Sequence, residues 1–503
     1  MSRVLPARPN LEHLKKQAKD LLHNLEQGDP SAIEQLNAVV SATAGPKLAD
    51  AQHALAREYG FASWAKLKEH VESLGLSFDP VAAFVAAVNN NDEMRVAQVL
   101  QEHPELKLRL DDPLPGFAFG GTALLQAVRG ANRRAIDILL DAGADINQRS
   151  HWWAGGFGVL DDDRGLAPYL MERGARLDVH AAARLGMFEQ LKGLVSANPD
   201  LVHARGGDGQ MPLHFASTVE IAGYLLDHGA DIDARDIHHE STPAQYMIRK
   251  RQEIARYLVS RGCSTDILMA SALGNLELVR KHLDADPSCV HMSVSEQSFP
   301  KKDPRSGGTI YIWYLGSHKT AHLVAREFRH EDVFQLLMER TPAPLKLSVA
   351  CELGDEATFR SLLAKNPDLA RSLSATERGR LVSAAQNNNA QAVKLMLKAG
   401  CPVDVLGEMG ETALHFAAWH GNTEMLKELI VRHPPLEAKD GRFSNTPLQW
   451  ALRGSSHSWE RHKGDYAEAI RILLQAGAKP PESAENLEAS EPARAALGQK
   501  LRR

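Results

Sequence analysis

The chain has 503 residues, a formal net charge of -5, and 44% hydrophobic and 24% charged residues. This length exceeds the roughly 250–300 residues at which a single hydrophobic core stops growing, so it excludes one ordinary domain and favours several domains or a repeat array. The near balance of 58 basic and 63 acidic side chains argues against a nucleic-acid or anionic-membrane partner, since either would favour a basic excess.

The sequence also argues against secretion and against a bound cofactor. It has no apolar N-terminal segment and no apolar run near the roughly 20 residues that a membrane-spanning helix needs. It contains no GxxxxGK[ST], GxGxxG, GxSxG or HExxH motif, so nothing predicts nucleotide binding or nucleophilic catalysis. Its four cysteines form no CxxC pair. We therefore predict a cytoplasmic protein with reduced thiols and with neither metal nor cofactor.

The first 79 residues predict a helical module. Apolar periodicity and capping residues indicate four helices, at residues 11–27, 30–40, 47–59 and 63–74. Two interpretations stay open for this module. It is either a cap that covers the open apolar face of a following repeat, or a separate module that binds a partner.

From about residue 80 to residue 479 the chain repeats a short pattern, clearest in Thr412–Ala417. Its six copies begin at Thr122, Met211, Thr242, Thr320, Thr412 and Thr446. A second pattern follows about 16 residues later, as in Leu139–Asn147 and Leu225–Asp233. The two patterns together resemble the ankyrin repeat. The segment Ala56–Leu67 is similar to the N-terminal module of a bacterial family of long ankyrin proteins.

This resemblance implies an all-α fold, an ankyrin-repeat solenoid of about twelve helix-turn-helix units of about 33 residues. The expected organisation is the helical module at 1–79, the repeat array at 80–479 and a frayed tail at 480–503. The resemblance implies a role in binding, through a concave face lined by the first helix of each repeat, and it implies no enzymatic activity.

Three stretches interrupt the repeats, and four of the seven tryptophans lie in them. The first, residues 148–163, places His151, Trp152 and Trp153 close to Asp161 and Asp162. Flat aromatic rings suit sugars or apolar groups, and carboxylates serve as acid and base, so these residues are candidates for a ligand site. The alternative is a truncated repeat whose tryptophans fill a gap.

The second interruption, residues 288–318, alternates β-branched and aromatic residues from Thr309 to Leu315. This pattern predicts a strand that pairs with residues 290–294 in a β-hairpin, with Tyr311 and Trp313 as candidate binding residues. The first two interruptions are about five repeats, or roughly 50 Å, apart along the stack, so they share a site only if the array curves tightly and the hairpin folds inward.

The third interruption, residues 453–466, contains Trp459 and predicts a longer turn in the last full repeat. Within the repeats, Gln245 and Tyr246 replace the usual His pattern and are expected on the concave side, and Trp450 occupies a comparable position. We include all four residues among the candidate binding residues.

Two functions are consistent with these observations. We predict a binding scaffold that recognises a protein partner through its concave face and insertions. The alternative is a small-molecule site, with a glycan as one candidate ligand, or a hydrolase built by insertions 148–163 and 288–318. Asp161 or Asp162 would then act as acid or base with His151, and Trp152, Trp153, Tyr311 and Trp313 would form the walls.

Overall fold

The computed structural model describes residues 11–37, 47–74, 79–458, 461–481 and 488–501. Within these residues the fold is helical, no strand is formed, and the bridges Ser293–Thr320 and Leu406–Thr412 are the isolated β-pairs. None of the described helices is long and apolar enough to cross a membrane. The chain forms two compact units, one of residues 1–151 and 158–175, the other of residues 152–157 and 176–503.

The first unit begins with the four predicted N-terminal helices and continues with helices of the repeat type. The N-terminal helices are α1 Leu11–Glu26, α2 Pro30–Asn37, α3 Leu48–Glu58 and α4 Trp64–Leu74. The helices that follow are α5 Pro80–Asn89, α6 Glu93–Glu102, α7 Ala123–Arg129, α8 Arg133–Asp141 and α9 Ala167–Glu172. Leu14 and Ala18 of α1 pack with Leu55 and Leu67, so the N-terminal helices bury an apolar core of their own.

The second unit consists of helix pairs in sequence, with one short helix in the second interruption. Its helices up to that interruption are α10 Val179–Leu185, α11 Phe188–Ala197, α12 Pro212–Phe215, α13 Val219–Asp227, α14 Pro243–Met247, α15 Gln252–Ser260, α16 Ile267–Ala272, α17 Leu276–Ala285 and α18 Tyr311–Tyr314. The remaining helices are α19 Ala321–Glu327, α20 Glu331–Arg340, α21 Ala343–Leu353, α22 Glu356–Lys365, α23 Ala375–Gln386, α24 Ala390–Ala399, α25 Ala413–Trp419, α26 Thr423–Ile430, α27 Pro447–His457, α28 Tyr466–Ala476 and α29 Glu491–Leu501.

Short 3-10 helices occur at several of the junctions between these elements. They span Pro104–Arg109, Ala118–Gly120, Pro199–His203, Gly207–Gly209, Pro287–His291 and Leu369–Ser372. Three of them, at Pro104, Pro199 and Pro287, begin at a proline that follows the second helix of a pair, in keeping with the inability of proline to continue an α-helix.

Similar local chemistry recurs in several of the helix pairs. In some of them asparagine caps the second helix, as where Asn422 Oδ1 accepts a hydrogen bond of 3.0 Å from the Met425 amide. In others a glycine in the left-handed conformation ends it, as at Gly400 (φ 96°) and Gly477 (φ 109°). Because each pair has an apolar face, neighbouring pairs share two continuous cores, one from Val179 to Val349 and one from Leu347 to Leu497.

The predicted β-hairpin is wrong. Residues 311–314 form the helix α18, in which Tyr311 and Leu315, four residues apart, are both buried. Trp313, which would share their face in a strand, is 72% exposed. Burial at a spacing of four residues is the helical pattern, so the β-branched and aromatic alternation of this segment reflects composition rather than strand packing.

The C-terminal part also differs from the expectation. The tail is not frayed along its length, because Ala493 and Leu497 of α29 are buried in the core of the last repeats. In the third interruption, helix α27 continues to His457, so its first residues lengthen a helix rather than a turn. Trp459 lies outside the described residues.

Candidate functional site

Two turns of the second unit have the same construction. We call residues 236–242 the covered turn and residues 440–446 the open turn. In each turn, the side chain of an aspartate accepts hydrogen bonds from main-chain amides of the turn. This aspartate lies six residues before the threonine that precedes the next helix. Asp236 accepts hydrogen bonds from the amides of His239 (2.7 Å) and Ser241 (2.8 Å). Asp440 accepts the equivalent bonds from Phe443 (2.6 Å) and Asn445 (2.9 Å).

The equivalence of the two turns continues into the following helices. A glutamine side chain caps each helix: Gln245 Oε1 accepts from the Thr242 amide at 2.9 Å, and Gln449 Oε1 accepts from the Thr446 amide at 2.8 Å. The next residue is Tyr246 in one repeat and Trp450 in the other. These two aromatic side chains therefore occupy the same position relative to their turns.

The second interruption lies across the covered turn. The Gly307 amide donates to the His238 carbonyl at 2.8 Å, and the Ile310 amide donates to Ser241 Oγ at 3.0 Å. The His239 ring, through Nδ1, bonds the Gly308 carbonyl at 2.9 Å. Residues 306–310 thus dock on this turn through main-chain hydrogen bonds, as a bound peptide would.

The first interruption reaches the same place. Trp152 Nε1 donates to Asp208 Oδ1 at 2.9 Å, and the rings of Trp152 and Trp153 lie 5.3 and 5.8 Å from the His238 ring. The Arg305 guanidinium stacks 4.2 Å from the Trp153 ring. The two insertions therefore meet, contrary to the estimated separation of about 50 Å, because each extends along the turns of intervening repeats.

These contacts decide the accessibility of the other candidate residues near the covered turn. Tyr311 is fully buried, and its hydroxyl donates to Asp266 Oδ2 at 3.0 Å. Gln245 and Tyr246 are 4% and 7% exposed, and burial raises the pKa of Tyr246 well above its ordinary value. Only Trp313 projects into solvent, so Tyr311, Gln245 and Tyr246 serve packing and do not present a binding surface.

The acidic candidates lie in the first unit. Asp161 Oδ2 forms an ion pair of 2.8 Å with Arg149 and accepts the Gly158 amide at 2.7 Å. Asp162 forms an exposed ion pair of 3.1 Å with Arg164. His151 is exposed on the same stretch. Both carboxylates are engaged by arginine, and Asp161 holds the local turn.

The open turn borders an apolar pocket of about 270 Å³. Its walls include the aromatic side chains Phe416, Trp419, Phe443 and Trp450. The Trp450 ring lies 5.2 Å from Phe416 and 5.9 Å from Trp419, and its Nε1 donates to Asp440 Oδ2 at 3.0 Å. The tryptophan is therefore held in place with its apolar surface lining the pocket.

The rim of this pocket carries apolar and cationic side chains, and the carboxylates of Asp440 and Glu411 also line the pocket. Phe443 is 52% exposed and Met409 is 47% exposed. Arg442 and Arg453 place their guanidinium groups 5.0 and 5.4 Å from the Phe443 ring. Within the described residues, no carboxylate forms an ion pair with either arginine. The rim can therefore accept an acidic group from another molecule.

The two aspartates differ electrostatically. Burial raises the pKa of Asp236, and the hydrogen bonds from His239 and Ser241 only partly oppose it. Burial also acts to raise the pKa of Asp440, but hydrogen bonds from Phe443, Trp450 and Asn445 outweigh it, so the pKa lies below its ordinary value.

Trp450 was predicted as a binding residue from the sequence, and the other residues of the pocket were not. Phe416 lies in the most regular copy of the repeat, where an aromatic residue is expected to belong to the hydrophobic core. Phe443 lies in a turn that carries no insertion. One signal of the pocket is visible in the sequence: Phe443 follows Arg442 in a turn that is otherwise polar.

Stacked helix pairs that share a continuous core, joined by turns that carry exposed side chains, define a repeat protein of the binding class. The family profile for ankyrin repeats, in three copies, matches residues 179–269, 347–440 and 381–483. The chain therefore contains ankyrin repeats in these residues.

Two curated relatives show the same similarity. The chain is 26% identical over 140 residues to mouse ankyrin repeat and SAM domain-containing protein 6, and 25% identical over 140 residues to the rat protein of that name. In both cases the match covers 27% of this chain and 16% of the relative. The similarity supports a binding scaffold, and it covers too little of either relative to extend further.

Proposed function

We propose that the protein binds a partner protein at the open turn, by placing a large apolar side chain of the partner in the pocket beside Trp450. The pocket meets the requirements of a binding hot spot. It is lined by aromatic side chains and flanked by arginines, the residue types that contribute most to protein interfaces. The proposed surface lies on the side of the first helices, which we expect to be the concave face.

One observation carries this proposal, the contrast between the two turns. The covered turn is occupied by the chain's own residues 306–310, which bond to His238, His239 and Ser241. The open turn has the same backbone construction but no such occupant within the described residues. We infer that a segment of another protein takes the place that residues 306–310 take on the covered turn.

The charge at the rim specifies the chemistry of that segment. Arg442 and Arg453 both lie over Phe443. We therefore expect the bound segment to carry an aromatic or long aliphatic side chain with an acidic residue next to it. We propose no hydrolytic role for Asp161 or Asp162, because their ion pairs already account for both carboxylates. The cytoplasmic location stays a prediction.

A peptide-display selection on the intact protein tests this proposal. Peptides that bind should share a large apolar residue beside Asp or Glu. Phe443→Ala and Trp450→Ala should each lower the affinity for a selected peptide by about tenfold or more, since truncating a hot-spot residue costs roughly 2 kcal/mol of binding free energy. Fluorescence anisotropy with a labelled peptide measures the dissociation constants.

Val431→Ala is the matched control. Val431 is 73% exposed and ends the outer helix of the same repeat, so it is as accessible as Phe443 but lies outside the pocket. Affinity should be unchanged in this variant. If selected peptides bind Phe443→Ala and Trp450→Ala as tightly as the native protein, the open turn is not the binding site and the proposal is wrong.

A further inference from the structure

A second cavity lies between the second interruption and helix α23, and it shares the lining residue Glu411 with the aromatic pocket. It has a volume of about 250 Å³ and is lined by the loop at Ser293–Gln297, by α23 and by the turn at Leu406–Glu411. This volume is below the roughly 300–1,000 Å³ of sites for drug-sized ligands, so the cavity suits a small metabolite. Its walls contain hydroxyl, amide and charged groups, the imidazole of His318, and the apolar side chains of Val382 and Leu406.

The cavity contains a buried cation that is poorly satisfied. Arg380 is 5% exposed, and its ion pair with Glu352 spans 3.5 Å, longer than a good charged hydrogen bond. Its Nε has no acceptor among the described residues. Burial raises the pKa of Glu352, an effect that Arg380 only partly opposes, so Glu352 is a weak counterion. A buried guanidinium with five donors calls for a further acceptor, and a carboxylate provides it best.

The cavity also has acidic lining residues. Glu408 and Glu411 both line it, and Glu411 is 5% exposed with one oxygen accepting the Met409 amide at 2.9 Å. His318 lines the same cavity. Burial and the charge of Arg380 lower the pKa of His318, and Glu411 acts in the opposite direction. The cavity is therefore lined by groups of both charges.

This arrangement selects against simple ions. An anion would meet the two glutamates, and a cation would meet Arg380, whereas a ligand that carries both charges has a partner for each of them. We propose that this cavity binds a free, zwitterionic α-amino acid, with its carboxylate at Arg380 and its ammonium group at Glu408 and Glu411. The hydroxyl and amide groups of Ser383 and Gln386 would face a small polar side chain.

Helix α23 offers a direct test at Gly379. This residue lines the cavity, and a Cβ added there would meet nothing within 4 Å. Gly379→Leu fills the cavity and also raises helix propensity, so the variant should fold. Gly379→Ala is the matched control, because it makes the same backbone change and leaves the cavity open.

Thermal unfolding of the native protein is measured with each of the twenty common L-amino acids at millimolar concentration. At least one should raise the midpoint for the native protein and for Gly379→Ala, and not for Gly379→Leu. Calorimetric titration then compares that amino acid with two analogues, one without the ammonium group and one without the carboxylate. The amino acid should bind at least about tenfold more tightly than either analogue, since each analogue loses a charged hydrogen bond.

Glu408→Gln should lower the affinity for the amino acid by about tenfold. It should leave the affinity for the analogue without the ammonium group unchanged. The proposal is overturned if no amino acid shifts the midpoint, if the shift persists in Gly379→Leu, or if either analogue binds as tightly as the amino acid. These outcomes are separate from partner binding, because Gly379 and Glu408 line this cavity and not the aromatic pocket.

Discussion

The covered and open turns are built alike, and their surroundings differ. Asp236 and Asp440 fold the two turns in the same way, and Tyr246 and Trp450 follow at the same position. Over the covered turn, Trp152 and residues 306–310 exclude solvent and use the polar groups of the turn. Over the open turn, Phe443 remains 52% exposed. The same scaffold thus covers one surface with its own residues and leaves its counterpart accessible to solvent.

The contrast predicts that aromatic residues near the covered turn matter for stability. Tyr311→Ala removes a fully buried ring and the partner of Asp266, so it should lower the free energy of unfolding by about 3–5 kcal/mol. Trp313→Ala, two residues away, should change it by less than about 0.5 kcal/mol, because that ring is exposed. Urea unfolding measures both, and equal effects would contradict the assignment of α18.

The two aspartates should titrate on opposite sides of the ordinary value of 3.8, Asp236 above it and Asp440 below it. Asp440 then stabilises the fold above the unfolded-state pKa and loses this contribution as the pH falls through its folded-state pKa. Asp236 favours folding in its protonated form and loses that contribution as the pH rises through its raised pKa.

NMR titration of the side-chain carboxyl carbons measures both pKa values directly. Because the Asp440 carboxylate accepts several hydrogen bonds, Asp440→Asn should lower the free energy of unfolding by about 1–3 kcal/mol at neutral pH. This difference from the native protein should become smaller in acid. Should Asp440 titrate above Asp236, the electrostatic difference between the turns would be refuted.

The indole donors provide a smaller and more symmetric test. Trp152→Phe removes the donor to Asp208 near the covered turn, and Trp450→Phe removes the donor to Asp440 at the open turn. Each should destabilise the protein by about 1 kcal/mol, the net value of one hydrogen bond. Only Trp450→Phe should also change the affinity for a selected peptide; a comparable affinity loss in Trp152→Phe would show that the covered turn takes part in binding.

Much of this fold was predictable from the sequence. The N-terminal helices and the repeated pairs follow from apolar periodicity and from caps such as Asn422 and Gly477, which act locally. The equivalence of Tyr246 and Trp450 is also visible, since both stand four residues after the threonine of the repeat pattern.

The functional contrast was not predictable from local patterns. Whether a turn is covered depends on contacts such as Arg305 with Trp153, between residues about 150 positions apart in the chain. Tyr311 of α18 likewise bonds Asp266, 45 positions away in the sequence. A tertiary contact of this kind overrides the β-propensity of the segment itself.

We propose that a partner segment occupies the open turn as residues 306–310 occupy the covered turn. Amide hydrogen exchange of the native protein, measured with and without a selected peptide, is a direct test of this occupancy. On binding, we expect slower exchange at the amides of residues 440–453 and unchanged exchange at residues 236–246. Slower exchange confined to the second helices of the repeats, or to the covered turn, would contradict this proposal.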